Sequence, residues 1–198
     1  MTTSATAVRA GAFSRFLSPL ALLALMWAIQ LVDSVTPDRF AVYGIRSWDL
    51  SSAPGLVLAP LLHAGWGHLI ANSLPFLVLG CLVAVEGTGR FWIVTGAAAL
   101  VGGVGTWLFN IPGTITVGAS VLVFGYFGYV VLRVFVPGRV SHRIAYAAIA
   151  VIVVVLYGGS MLAGVFGAAP GISWQAHLFG AIGGGLAALA GRSRKAPE

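Results

Sequence analysis

Six stretches of the chain are apolar over about the length that a membrane helix needs, and Pro, Gly or charge separates them. They run from Phe16 to Val32, His68 to Val85, Phe91 to Phe109, Ser120 to Val136, Ile144 to Leu162 and Trp174 to Ala190. Crossing a hydrocarbon core of about 30 Å takes roughly 20 residues. The pattern therefore predicts an all-α integral membrane protein, a bundle of six transmembrane helices. No small-x-small cleavage site follows the first stretch, Gln30 to Asp33 being a poor one, so it reads as a span and not as a signal peptide.

Composition agrees with that pattern and narrows it. Apolar residues make up 59% of the 198 and charged residues 8%, against about 25% charged in an ordinary soluble protein. Too few charges remain to coat a soluble domain, which excludes a cytosolic enzyme, a nucleic-acid binder, a disordered chain and a secreted disulfide scaffold. Cys81 is the lone cysteine, and no metal or organic cofactor motif appears. The net charge of +6 matters less than where the basic residues fall. With the N-terminus cytoplasmic, the inner segments hold Arg9, Arg15, Arg90, Arg133, Arg139, Arg143, Arg192, Arg194 and Lys195, and the outer ones only Arg39 and Arg46. The bias of basic residues toward the cytoplasm predicts both termini inside. Residues 1–15 and 192–198 are expected as cytoplasmic tails, and 16–191 as one membrane domain. The longest outer loop, Asp33 to about Gly67, carries Asp33, Asp38 and Asp49. Glycine is abundant, with 27 residues, and small residues let membrane helices approach closely.

Polar groups inside the spans are then the informative ones, because they are costly in lipid and usually face protein. They are His68, Asn72 and Ser73 in the second span, Ser120 opening the fourth, Ser160 late in the fifth and His177 in the sixth. At a helical rise of about 1.5 Å, Ser120 lies about 20 Å from Arg133, His177 about 22 Å from Arg192 and Asn72 about 21 Å from Glu86. His68 is one turn further out. Three helices thus place Ser, His, His and Asn in one layer, roughly 10 Å below the outer surface. A serine hydroxyl is a weak nucleophile until a base takes its proton, and an imidazole at the same depth is that base. Acyl transfer also needs donors for an oxyanion. His68 and Asn72, at i and i+4, share a helix face and offer them. The backbone N–H of Ser120, in the unpaired first turn of its helix, offers another. No carboxylate shares the layer, which points to a dyad and not a triad. Ser120, Phe124 and Gly128 form one stripe, and His177, Gly180 and Gly184 another. Two stripes containing small residues pack backbone to backbone and bring Ser120 to His177.

These residues resemble the rhomboid intramembrane serine proteases in their bacterial six-helix form. His63-Ala-Gly-Trp-Gly-His68-Leu-Ile-Ala-Asn72 is similar to the His-x-x-x-Asn element of the second helix, and Glu86 to the acidic residue closing it. Gly118-Ala119-Ser120 is similar to the Gly-x-Ser nucleophile motif, and His177-x-x-Gly180-x-x-x-Gly184 to the catalytic histidine motif. Order, spacing and helix number agree from about residue 16 to 191. The resemblance implies Ser120 as nucleophile, His177 as general base, and His68 and Asn72 lining the oxyanion site with Gly118. It implies no cofactor and no metal, a transmembrane protein as substrate, and a bacterial plasma membrane as the location. Two departures stand out. Val121 replaces the usual Gly after the serine, and Arg46-Ser47-Trp48 stands where many members carry a Trp-Arg pair.

Each group also has a plainer reading. Ser120 reads as a helix cap, and His177 as a hydrogen-bonded packing or ion-pathway residue. His68 and Asn72 read as glue between helices. Phe124 either stacks on the imidazole or simply packs. His63 reads as a loop or interface residue. A catalytically dead scaffold, with Val121 as the defect that favours it, and a small transporter are the alternative functions. Asn110–Gly118 is expected to enter the membrane as irregular backbone, buried in protein or lining a wet cavity. The Gly-rich segment Gly158–Ser173 is expected to cap the site, with the fifth span moving to admit substrate. Locking that span to the second by a disulfide should then abolish cleavage.

Overall fold

Each apolar stretch is a helix in the computed structural model, which describes residues 14–37, 39–136, 140–167 and 171–190. The helices are α1 (Leu17–Val35), α2 (Trp66–Ala84), α3 (Thr88–Phe109), α4 (Ser120–Arg133), α5 (Val140–Phe166) and α6 (Trp174–Ala190). Most of the two expected tails lies outside the described residues, as do Asp38, Arg9, Arg139, Arg192, Arg194, Lys195 and the side chain of Arg143. α1 runs past its expected end because the charge there is satisfied. Asp33 accepts from Phe40 N at 2.5 Å and from Gln30 and Arg39 at 3.4 and 3.3 Å.

α1, α2, α3 and the Ile144–Phe166 part of α5 are long and apolar enough to cross a membrane. α4 has 14 residues and α6 has 17, or about 21 and 26 Å of helix. A 21 Å helix does not reach across about 30 Å of hydrocarbon.

The backbone before Ser120 is held by the long α1–α2 connection. There β1 (Ile45–Arg46) pairs antiparallel with β2 (Ile115–Thr116), Ile45 opposite Thr116. Ser47 N donates to Thr114 O at 3.0 Å, Gly113 N to Ser47 O at 2.9 Å and Gly118 N to Ala59 O at 2.8 Å. The α3–α4 segment thus takes hydrogen-bond partners from the α1–α2 connection, while Ile111, Pro112, Gly113 and Thr114 stay exposed. The ladder is a small β element that the all-α expectation omitted.

α4 sits at the centre, packed against α2, α3, α5 and α6. Its contact with α6 is backbone on backbone. A Cβ on Gly184 would stand 1.7 Å from Gly125 O, one on Gly128 2.3 Å from Ala181 O, and one on Gly180 2.4 Å from Val121 O. Only residues without side chains allow this approach. On the α3 side, Thr95 Oγ1 and the Tyr126 hydroxyl meet at 2.8 Å, both buried.

Charge gathers at the opposite end of α4. Glu86, just beyond α2, accepts from Arg133 at 2.9 and 3.1 Å, from Tyr129 OH at 2.8 Å and from Tyr146 OH at 2.7 Å. Arg90 pairs with it at 4.0 Å, and Arg15 donates to the neighbouring Val85 O at 2.6 Å. Burial pushes the Glu86 carboxyl up, but the bonds from Arg133, Tyr146 and Tyr129 outweigh it and leave the group below its ordinary range. Arg15, Arg90 and Arg133 therefore share one end of the bundle. Arg39 and Arg46 pair instead with Asp33 and Asp49, in the α1–α2 connection.

Candidate active site

Ser120 is the first residue of α4, and Ala119 holds the cap position without a side-chain bond. The serine hydroxyl does not cap the helix. It lies 2.9 Å from Nε2 of His177, in the first turn of α6. The helix-cap alternative for Ser120 is thereby set aside. The N–H groups of Ser120 and Val121 belong to the turn that a helix leaves unpaired, and take no protein acceptor among the described residues.

The imidazole of His177 is 8% exposed and fixed on three sides. Phe124, one turn below Ser120, stacks on it with centroids 4.0 Å apart and planes 6° from parallel. Nδ1 lies 2.8 Å from the carbonyl oxygen of Gly164, on α5. No carboxylate touches the ring among the described residues, and Glu86 is engaged by Arg133 and the two tyrosines. Gly180 and Gly184, on the same stripe as His177, seat α6 against Val121 O and Gly125 O.

His68 closes the site from α2. Its ring lies against Gly118, where a Cβ would come within 2.5 Å of Cε1 and 2.8 Å of Nε2. Gly118 also has φ +122°, a conformation that a side chain disfavours. Both facts require glycine two residues before the serine. Ala64 N approaches His68 Nδ1 at 3.5 Å, which puts the ring proton on Nε2, the nitrogen nearer Gly118. Asn72 is 8% exposed, and its Nδ2 donates to His68 O at 3.0 Å, within its own helix. One amide hydrogen remains for another acceptor.

Ser73 and Ser160 stand apart from this cluster. Ser73 Oγ accepts from Trp27 Nε1 at 3.1 Å and ties α2 to α1. Ser160 Oγ donates to Tyr157 O on the exposed side of α5.

Three participants escaped the sequence reading. His63 lies in the loop before α2, as expected, but is only 4% exposed. Its Nε2 accepts from Ala119 N at 3.3 Å, one residue before Ser120. Burial, and the nearby His68, pull its pKa down to about 4, so it stays neutral and able to accept. Gly164 contributes a backbone carbonyl, which no side-chain motif announces. Gly102 explains Val121: a Cβ on Gly102 would stand 2.2 Å from Val121 Cγ2, and one on Gly180 3.1 Å from it. Val121 fills the notch that these glycines leave between α3 and α6. Neighbours on a helix point about 100° apart, so this packing leaves the Ser120 face of α4 clear.

The sequence matches the Rhomboid domain over residues 50–194. An uncharacterized protein of Mycobacterium tuberculosis is 39% identical over 186 residues, covering 89% of this chain and 76% of its own. One from Mycobacterium leprae, also uncharacterized, is 38% identical over 177 residues, covering 85% and 68%. A Bacillus subtilis protein provisionally named rhomboid protease YdcA is 32% identical over 178 residues, covering 84% and 83%. The domain match takes in His63, His68, Asn72, Ser120 and His177, together with the helices that carry them, and the chain belongs to the rhomboid family of multi-pass membrane proteins.

Proposed function

We propose that this protein is an intramembrane serine endopeptidase, hydrolysing peptide bonds in or near transmembrane segments of other membrane proteins. The observation that carries this reading is the 2.9 Å contact between Ser120 Oγ and His177 Nε2, with the far nitrogen of the ring also bonded. Nucleophile, base and orienting group in sequence are what acyl transfer through serine requires.

In this mechanism Ser120 Oγ attacks the substrate carbonyl carbon while its proton passes to His177 Nε2. The oxyanion is received by the Ser120 N–H, the His68 Nε2–H and the free hydrogen of Asn72 Nδ2. His177 then returns the proton to the leaving amine, and an acyl-enzyme on Ser120 remains. Water, deprotonated at Nε2, releases the acyl group and restores the hydroxyl. Ser120 is only partly enclosed, which leaves the hydroxyl reachable. Residues 16–191 form the protease unit in six crossings of a bacterial plasma membrane, both termini in the cytoplasm. Its partners are transmembrane substrates and the lipid bilayer, with no metal, cofactor or nucleic acid. The seating of Val121 between Gly102 and Gly180 supports an active enzyme over an inactive scaffold.

Cleavage of a reporter transmembrane substrate in liposomes tests the proposal. Wild type is expected to cut it, and Ser120→Ala and His177→Ala to leave it intact. A substrate cut equally by Ser120→Ala would overturn it.

A further inference from the structure

The two ring nitrogens of His177 have different partners, and one of them determines where the proton sits. Nδ1 lies 2.8 Å from Gly164 O, and Nε2 lies 2.9 Å from Ser120 Oγ. A carbonyl oxygen only accepts, so the Nδ1 bond requires the proton on Nδ1. A neutral imidazole carries one such proton. Nε2 is then left with its lone pair toward the serine, the tautomer that a general base must have. In Ser-His-Asp enzymes a carboxylate enforces this choice. Here the acceptor is backbone, and it comes from a different helix.

Resting on the protease reading above, we propose that Gly164 is the positioning residue of the dyad: its carbonyl holds His177 in the Nδ1–H tautomer and aims Nε2 at Ser120. Two further features fit this role. α5 ends at Phe166, so Gly164 O belongs to the last turn, at the negative end of the helix dipole. That end faces the ring that becomes positive when it takes the serine proton. Glycine is also what the approach demands. A Cβ at this position would lie 2.9 Å from His177 Nδ1 and 2.6 Å from Phe124 Cζ. Phe124 sets the plane of the ring, and Gly164 sets its rotation within that plane.

The assignment ties the base to the seat of α5, the least enclosed of the four long apolar helices. When the outer turn of α5 leaves α6, His177 loses its acceptor and the tautomer is no longer fixed. Seating that turn again restores the base.

The test uses the full chain with ¹⁵N-labelled histidine, His177 being assigned by difference from His177→Gln. Replacing Val165 by its α-hydroxy acid turns the Gly164 carbonyl from amide to ester, a weaker acceptor, without altering any side chain. The same change at Leu162 is the control, since it removes a comparable helical N–H without reaching His177. The wild-type spectrum is expected to show the Nδ1–H tautomer. The ester at 165 is expected to shift His177 toward Nε2–H and to slow fluorophosphonate labelling of Ser120 at least about tenfold, while the ester at 162 does neither. A wild-type spectrum with the proton on Nε2 would overturn the assignment. So would an ester at 165 that leaves both spectrum and labelling unchanged. An Nδ1–H spectrum beside a wild-type Ser120 that never labels would uphold Gly164 and sink the protease reading, because the tautomer is read without turnover.

Discussion

Gly184→Ala should disable the site from two helical turns away. The added Cβ would stand 1.7 Å from Gly125 O, 2.5 Å from Gly125 C and 2.9 Å from Gly125 Cα. All three atoms are backbone, so no side-chain rotation relieves the overlap. Restoring ordinary contact, about 3.5 Å for heavy atoms, takes at least about 1.5 Å of separation between α4 and α6 at that level. Gly184 lies roughly 10 Å along α6 from His177. Part of that displacement reaches the ring, and the 2.9 Å bond to Ser120 tolerates only a few tenths of an ångström. A misplacement of about 1 Å at a reacting group costs on the order of 100-fold in rate. Overpacking also costs about 1–3 kcal/mol of stability. The assay is the rate of fluorophosphonate labelling of Ser120 in one detergent, read beside a thermal melt. Gly96→Ala on α3 is the control, because nothing lies within 4 Å of its Cβ position. It should label like wild type and gain up to about 1 kcal/mol of helix propensity. Wild-type labelling and melting in Gly184→Ala would refute the claim that backbone contact between α4 and α6 sets the dyad.

Three other perturbations read separate parts of the account. Gly102→Ala should destabilise the protein through its 2.2 Å encounter with Val121 Cγ2; adding Val121→Ala should recover about 1–3 kcal/mol, and a double-mutant cycle with additive melts would contradict this pairing. His63→Ala leaves Ala119 N without its acceptor and should cost about 1–3 kcal/mol. Because the folded pKa of His63 is depressed from about 6.5 to about 4, wild-type stability should fall as pH drops from about 6.5 to about 4 and level off below, and His63→Ala should flatten that window. Glu86→Gln weakens the bonds from Arg133, Tyr129 and Tyr146, with an expected loss of about 1–3 kcal/mol at pH 7. Its folded value lies below the ordinary one, so the wild-type advantage is full above about pH 4.3 and disappears as pH falls through that lowered value; a pH-independent difference would refute it.

The helices and the meeting of Ser120 with His177 were legible because membrane burial writes a strong signal. Lipid makes long apolar runs obligatory, and it makes a serine and a histidine at one depth conspicuous. The glycines of α4 and α6 were legible for a related reason, since close approach demands small residues at helical spacing. Other features left weaker traces. A ladder of two residues per strand, Ile45–Arg46 on Ile115–Thr116, is too short to show alternation. Gly164 acts through its carbonyl, and every residue has one. His63 looked peripheral because its burial depends on the fold of the α1–α2 connection, which carries no periodic pattern. Val121 looked like a defect because its compensating partner, Gly102, lies on another helix and is one of many glycines.

Fluorophosphonate labelling of the intact protein in liposomes, with the modified residue located by mass spectrometry, tests the central claim most directly. The expected result is a single phosphonyl adduct on Ser120 in wild type, absent in Ser120→Ala and lost when His177 is changed to Ala. An unlabelled Ser120 in folded wild type, or equal labelling after removal of the imidazole, would contradict a serine activated by His177.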